Sequence, residues 1–582
     1  MTPKPFTPTE EQRAVIGLDG SAFVDACPGA GKTRILIERA RKLFGALGHG
    51  RGIAFLSFTH AAVFELETRL SQERLLPAPV FPNFIGTFDS FVWQFLVAPF
   101  GLPGATVRPR LIADMAGLSV EPFDGAQSLP LSCFCPETGA IYPAEAKSKG
   151  FDVTQKSDHQ VQAYQTTARR IRENLLARGH LGFDEARSLA LQRISNAEAA
   201  QRIALALKGR FCEVIVDEAQ DCNPDDLRII TWLRDSGLPT KVVCDPNQAI
   251  YEFRGGVTDH LYSFAETFPA EQRKKVSGNF RSSPDICKAV SGFRPIAVRG
   301  DSDQALGAHK EHAAPVEILA YGGTSVPPLI GETFSAILRD AHIHPSSAPI
   351  VASTKASGAA ASGQPKVTGS AHRTLRLAEA VSEFHFAAGY IEMRKAMDSA
   401  HELFLSLEGK LGGASYHQYV ADNGIDPVSW RSQVIAVMRM LRFSPDVHGD
   451  ARGWHRAAKE VLGRELCIDD GQSISQKLSW NAGLEGLLAD APADTVFART
   501  IHSVKGMQFP AVCVVTTSRT LGGILDFLLT GEPAEQAENA RKLYVAASRA
   551  EKLLVIAAPR SQATRLKAHL EEQGALVNVR EI

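Results

Sequence analysis

Short, continuous apolar runs alternate along this chain with longer stretches in which apolar residues recur at helical spacing. Residues 22–27 read as the first buried strand and 33–44 as the helix after it, with Ile35, Leu36, Ala40 and Leu43 as its buried stripe. Further runs at 214–216, 316–320, 511–515 and 553–557 predict strands of the same kind. The alternation predicts an α/β protein built on parallel sheets. Residues 101–180 are rich in turns and then turn helical. Residues 356–370 are rich in Ala, Gly and Ser and read as a flexible connector. From about 374 to 490 the pattern is helical, as in FHFAAGYIEMRKAMDSAHELFLSL, which predicts an inserted helical subdomain. No solenoid-type repeat is present.

Composition narrows the class. With 582 residues the chain has material for several cores, and 44% apolar with 22% charged residues is ordinary for a soluble protein. A net charge of -1 gives no global sign of nucleic acid, so such binding must come from local surface. No run approaches the ~18 apolar residues of a membrane span, and the start lacks a signal segment, so a cytoplasmic protein is expected. The nine cysteines suit reduced thiols; Cys133 and Cys135, the close pair, lack partners at zinc spacing and read as structural.

Two segments carry chemistry. DACPGAGKT at 25–33 has the spacing of a phosphate-binding loop between strand and helix. Gly29, Ala30 and Gly31 let backbone N–H groups converge on phosphate oxygens at a helix N-terminus. Lys32 would reach the β- and γ-phosphates, and the Thr33 hydroxyl would hold Mg²⁺. Ala26 stands where the strict pattern has Gly, and a turn that merely caps a helix is the other reading. Downstream, FCEVIVDEAQD at 211–221 is an apolar strand ending in two carboxylates, where open α/β sheets place ligands. Asp217 suits Mg²⁺, and Glu218 suits the base that orients and deprotonates an attacking water.

In order along the chain, the segments resemble the motif series of the UvrD/Rep/PcrA type of superfamily 1 DNA helicases. FTPTEEQ at 6–12 is followed by the phosphate loop, LSFTHAA at 56–62, GTFDSF at 86–91, GFDE at 182–185 and the DEAQD strand. Then come VVCDPNQAIYEFRGG at 242–256, GNFRSS at 278–283, TIHSVKGMQF at 500–509 and RKLYVAASRA at 541–550. The resemblance implies that Gln12 reads the adenine edge, that Phe280 stacks on the adenine and that Gln508, where Glu is usual, bonds a ribose hydroxyl. It implies that Gln248 senses the γ-phosphate, and that Arg281 and Arg549 are arginines brought to it across a domain cleft. Phe58, Thr59, Tyr251, Phe253, Arg254 and His502 fall at DNA-facing positions. His60, Asp89 and Ser548 stand where Asn, His and Thr are usual, and Asp89 would set negative charge near a DNA backbone. Phe88, Phe91 and Phe95 read as core.

The layout implied is two RecA-like parallel-sheet motor domains with inserted, mainly helical subdomains. Residues 1–100 and 181–260 form the first motor domain, with 101–180 inserted. Residues 261–373 and 491–582 form the second, with 374–490 inserted. The implied function is an ATP- and Mg²⁺-dependent 3′ to 5′ translocase or helicase on single-stranded or tailed duplex DNA. The alternative is an ATP-controlled DNA-binding switch or clamp that activates a partner, such as a separate nuclease in phage defence; a repair protein is another partner the resemblance allows. The short run after Ala550 leads us to expect no terminal nuclease domain.

Overall fold

The computed structural model describes residues 6–46, 50–77, 80–102, 107–112, 118–123, 125–250, 258–300, 302–363, 372–387, 390–412, 416, 419–420, 423–468, 471–488 and 496–582. The chain divides into two units, one of residues 1–88, 200–366 and 491–582, the other of residues 89–199 and 367–490.

The first unit holds two six-stranded parallel sheets. Its N-terminal helix α1 (Glu10–Gly17) starts at Thr9, whose hydroxyl accepts from the Gln12 backbone while the Gln12 side chain accepts from the Thr9 N–H, a reciprocal cap. Strand β1 (Ala22–Ala26), helix α2 (Lys32–Ala46), strand β2 (Gly52–Ser57), helix α3 (His60–Gln72) and strand β3 (Phe84–Thr87) follow. The chain returns with β4 (Phe211–Val216), β5 (Thr240–Cys244) and β6 (Arg273–Val276), giving the order β6-β1-β5-β4-β2-β3. Four strands are buried along nearly their whole length, which is why they appear as unbroken apolar runs.

A buried ion pair fixes α2 against β4. Arg39 grips Glu213 with two parallel bonds, Nε to Oε1 at 3.0 Å and Nη2 to Oε2 at 2.6 Å, and both side chains are almost fully buried. The helix behind the phosphate loop and the strand ending in Asp217 are thereby held in one register. Removing one partner leaves a buried charge uncompensated, so Glu213→Ala is expected to destabilise this lobe by about 3 kcal/mol or more. Denaturant midpoints measured by tryptophan-independent far-UV signals check this.

The boundary between the lobes differs from the expected one. The apolar pattern places the start of the second motor domain at residue 261, whereas Arg273–Val276 pairs in parallel with β1, from Phe23 beside Arg273 to Ala26 beside Val276. Its charged residues hide it: an edge strand needs only one apolar face, and RKKV does not read as a buried run.

The second sheet contains β7 (Val316–Tyr321), β8 (Ile350–Ala352), β9 (Ala498–Thr500), β10 (Phe509–Val515), β11 (Ala550–Pro559) and β12 (Val577–Glu581), in the order β9-β8-β10-β11-β7-β12. Apolar clusters cover both of its faces, one including Phe293, Leu525 and Leu566, the other Phe334, Leu338 and Ala361. The expected connector at 356–370 is corrected here: Lys355–Ser362 is a helix, capped by Thr354 and ended by Gly363. Its small residues serve close packing, since a Cβ on Gly358 would meet that of Ala498 at 3.1 Å. Residues 364–370 lie outside the described residues.

The second unit is described by itself. Its first segment contains helices Asp158–Ala177 and Phe183–Ser195 and a core that includes Phe134, Phe151 and Tyr164. Arg172 organises it, donating to the carbonyls of Leu131, Phe134 and Cys135 and pairing with Glu185 at 2.8 Å. Its second segment is helical, with Arg373–Phe386, Tyr390–Glu408, Pro427–Met440 and Ala451–Glu465 packed around Phe404, Trp430 and Trp454. Among the described residues, no helix is long and apolar enough to cross a membrane.

Candidate nucleotide site where the two sheets meet

The loop from β1 to α2 is shaped by its glycines. Gly29 and Gly31 have φ of 72° and 75°, the left-handed region where a side chain is strained. Gln12 braces the loop, its Nε2 donating to the Ala30 carbonyl at 3.0 Å. The second lobe lies directly on it: the Phe280 N–H donates to the Gly29 carbonyl at 2.8 Å, and a Cβ on Gly29 would come within 2.4 Å of Asn279 Oδ1. Gly29→Ala is therefore expected to lower both turnover and melting temperature. The left-handed backbone alone costs alanine about 1 kcal/mol. Gly17→Ala, with open space around it, is the control that stays near wild type.

Lys32 closes the loop. Desolvation works against its ammonium, but the carboxylates of Glu218, Asp245 and Asp217 outweigh this and raise its pKa. Opposite it, β4 ends in Asp217 and Glu218. Desolvation and the neighbouring Glu218 push the Asp217 carboxyl up to about 7. Desolvation would raise Glu218 as well, yet Lys32, Lys505, a hydrogen bond from Gln220 and Arg549 bring it below the ordinary value. The two adjacent carboxylates thus differ in character. Glu218 also holds a left-handed backbone, φ 57°, a conformation that costs a non-glycine residue of order 1 kcal/mol and clusters at functional sites.

The second lobe supplies the arginines. Arg281 Nη1 donates to the Ser548 carbonyl at 2.9 Å, and its Nε donates to Gln508 Oε1 at 3.2 Å. Arg549 Nη2 donates to Gln248 Oε1 at 2.9 Å, and Gln248 Nε2 donates to Asp245 Oδ2 at 2.8 Å. Desolvation, with the charge of Arg281 nearby, lowers Arg549 to about 9. A guanidinium in this condition gains from any anion that reaches it.

Asp245, absent from the candidates that the motifs give, is 1% exposed and accepts from both Gln248 and the Tyr544 hydroxyl. It follows the end of β5 as Asp217 follows β4, so the strand-end rule that picked out one carboxylate points to both. Gln508, expected at a ribose, is placed against Arg281. Thr33 lies in the first turn of α2.

The DNA-facing candidates separate. Phe58 stacks on buried Phe88, centroids 5.2 Å apart, and the Thr59 hydroxyl caps α3 by accepting from the Ala62 N–H. His502 lies 3.4 Å from the Ile250 carbonyl, and desolvation lowers its pKa. Tyr251, Phe253 and Arg254 lie outside the described residues. Asp89 is neutralised by Arg187 at 2.8 Å. Phe88 and Phe91 are buried, as expected, whereas Phe95 is half-buried.

Two RecA-like parallel-sheet lobes, one bearing a phosphate loop and strand-end carboxylates and the other presenting arginines to them, define the class. Residues 7–116 and 128–269 match the UvrD/REP helicase N-terminal domain, and residues 476–561 match the UvrD-like helicase C-terminal domain. The chain belongs to the UvrD/Rep helicase family. It is 26% identical over 307 residues to the ATP-dependent DNA helicase UvrD1 of Mycobacterium tuberculosis, covering 48% of this chain and 38% of that protein. DNA helicase II of Haemophilus influenzae is 28% identical over 294 residues, 47% and 38% of the two chains. The ATP-dependent DNA helicase PcrA of Staphylococcus epidermidis is 25% identical over 295 residues, 49% and 39%. The matched region thus spans less than two fifths of each of these relatives.

Proposed function

We propose that this chain is an ATP-driven motor that moves 3′ to 5′ on single-stranded DNA and acts on tailed duplexes. The observation that carries the reading is the chain of hydrogen bonds from Asp245 through Gln248 to Arg549 of the opposite lobe, with the Asp245 carboxylate also acting electrostatically on Lys32 of the phosphate loop. The two sheets are the motor domains, with β6 closing the first, and residues 101–180 and 374–490 are the inserted subdomains. ATP is held with its phosphates on Gly29, Ala30, Gly31 and Lys32, and its base near Gln12 and Phe280. The Thr33 hydroxyl and Asp217 carboxylate are oxygen donors of the kind Mg²⁺ takes, and a Mg²⁺ bound there would neutralise phosphate charge. Glu218 orients and deprotonates the attacking water, and Arg281 and Arg549 stabilise the charge that develops on the transferred phosphoryl group. Tyr251, Phe253, Arg254, Phe58, Thr59 and His502 face the DNA.

Phe58 is half-buried with its ring stacked on Phe88, and in this reading a DNA base stacks on the part of the ring that Phe88 does not cover. Such a platform contributes about 1–3 kcal/mol, so Phe58→Ala is expected to weaken DNA-stimulated ATPase at least fivefold while sparing the basal rate. Stimulation that matches wild type would make Phe58 a core residue only. ATPase with and without single-stranded DNA, followed by unwinding of 3′-tailed against 5′-tailed duplexes, tests the whole reading. Strong DNA stimulation without unwinding favours the switch, and unwinding from a 5′ tail alone overturns the polarity.

A further inference from the structure

Between β6 and Arg281 the chain makes a turn organised by one carboxamide. Asn279 Oδ1 accepts the backbone N–H of Arg281 at 2.8 Å and that of Ser282 at 3.0 Å. The backbone around Asn279 is held as firmly. Two residues before it, Ser277 donates its N–H, at 2.8 Å, and its hydroxyl, at 2.9 Å, to the Glu11 carboxylate of α1. Gly278 and Asn279 pair in parallel with Gln304 and Ala305, and the Asn279 carbonyl accepts from the Leu306 N–H at 2.7 Å. The next residue closes the frame, through the bond from the Phe280 N–H to the Gly29 carbonyl.

This frame sets the amide against the phosphate loop and fixes which way round it lies. A Cβ on Gly29 would stand 3.1 Å from Asn279 Cγ and 2.8 Å from Arg281 Cβ, so the carboxamide packs on the loop backbone. A backbone N–H can only donate. The atom facing Arg281 and Ser282 is therefore the oxygen, and the NH₂ group takes the other position. Asn279 is only 2% exposed, and among the described residues its Nδ2 has no acceptor. A buried amide donor is rarely left so, because the unmade bond costs the desolvation of the group. The loop beside it, Gly29 to Lys32 at the N-terminus of α2, is a place where phosphate oxygens are bound.

We propose that Asn279 binds the nucleotide directly: its Nδ2 donates a hydrogen bond to a phosphate oxygen of the ATP or ADP seated on Gly29 to Lys32, while its oxygen keeps the Phe280 and Arg281 turn in shape. The proposal rests on the nucleotide-site reading above and adds a residue to it. The two ends of one amide then have separable tasks. A bond from an amide to an ionised phosphate oxygen is charge-assisted, and so stronger than one to a neutral acceptor. Aspartate would match the shape and accept the same two N–H groups, but it has no donor and would set a negative charge against the phosphates.

The test compares Asn279→Ser and Asn279→Asp with wild type, in the full chain. ATP, ADP and adenosine are the probes, each measured by displacement of a fluorescent ATP analogue, beside the melting temperature of every nucleotide-free variant. A serine hydroxyl also accepts from the N–H two residues on, so Asn279→Ser keeps a turn and loses the long donor. It should bind ATP and ADP about tenfold more weakly and adenosine within about twofold of wild type, the size expected for a hydrogen bond to a charged group. Asn279→Asp should bind ATP and ADP more weakly still. Both should melt near wild type without nucleotide and gain less than wild type from added ADP.

Wild-type affinity for ATP in Asn279→Asp overturns the proposal, whether or not Asn279→Ser folds. So does a loss of adenosine affinity as large as the loss for ATP, which would make Asn279 a support for Phe280 alone. A wild-type chain that binds no nucleotide overturns the site reading and this inference together. A wild type that binds ATP, beside variants that bind it equally well, removes Asn279 alone.

Discussion

Glu218→Gln is expected to bind ATP as tightly as wild type and to hydrolyse it at least about 100-fold more slowly, the usual worth of a general base. The substitution keeps the size of the side chain and its capacity to accept from Gln220, so it removes little besides the negative charge and the basicity. The surroundings favour that role for Glu218 over Asp217: positive groups from both lobes hold Glu218 ionised, while desolvation and Glu218 itself push Asp217 upward. Lys32→Ala should differ in kind, losing nucleotide affinity along with turnover. Nucleotide titration beside steady-state turnover separates the two. A Glu218→Gln enzyme that retains more than a tenth of wild-type turnover would remove Glu218 from the chemical step.

Arg281→Ala and Arg549→Ala are each expected to lower turnover about 10³-fold with a much smaller loss of ATP affinity, because an arginine brought to the γ-phosphate acts on charge present mainly in the transition state. Their contacts predict a difference between them. Arg281 is tied to Ser548 and Gln508 within its own lobe, whereas Arg549 bonds Gln248 of the other lobe. Arg549→Ala should therefore also abolish stimulation by DNA, and Arg281→Ala should leave the residual rate responsive to it. Equal losses in affinity and turnover would show that these side chains bind nucleotide and do nothing further.

Much of the architecture is visible as apolar runs because strands covered on both faces admit no polar alternation. The strand expected at 22–27 is Ala22–Ala26, that expected at 214–216 is the C-terminal half of Phe211–Val216, and that expected at 553–557 is the centre of Ala550–Pro559. Elements are hidden in the sequence where burial is one-sided or side chains are small. The basic edge strand Arg273–Val276 looks like surface, and the helix Lys355–Ser362 looks like linker because its packing depends on Gly358 and Ala361 being small. At the site, Lys32, Asp217 and Glu218 are legible because each belongs to a short local pattern with known chemistry. Lys505, Asp221 and Tyr544 fall inside the motif segments, but their pairing with groups hundreds of residues away leaves no mark in one sequence.

The edge strand that the sequence concealed also sets a mechanical limit. Val276 is hydrogen-bonded into the first sheet, and Arg281 follows it by only five residues, so at about 3.3–3.6 Å per residue Arg281 is on a leash of under 20 Å anchored beside the phosphate loop. Arg549 has no such anchor; it follows a helix rooted in the far lobe. In any opening of the cleft, therefore, Arg281 cannot retreat from the phosphate loop beyond the length of this leash, a limit that Arg549 does not share. On the proposed motor reading, the first arginine would work on a short tether from the sheet that carries the phosphate loop, and the second would travel with the helix it follows.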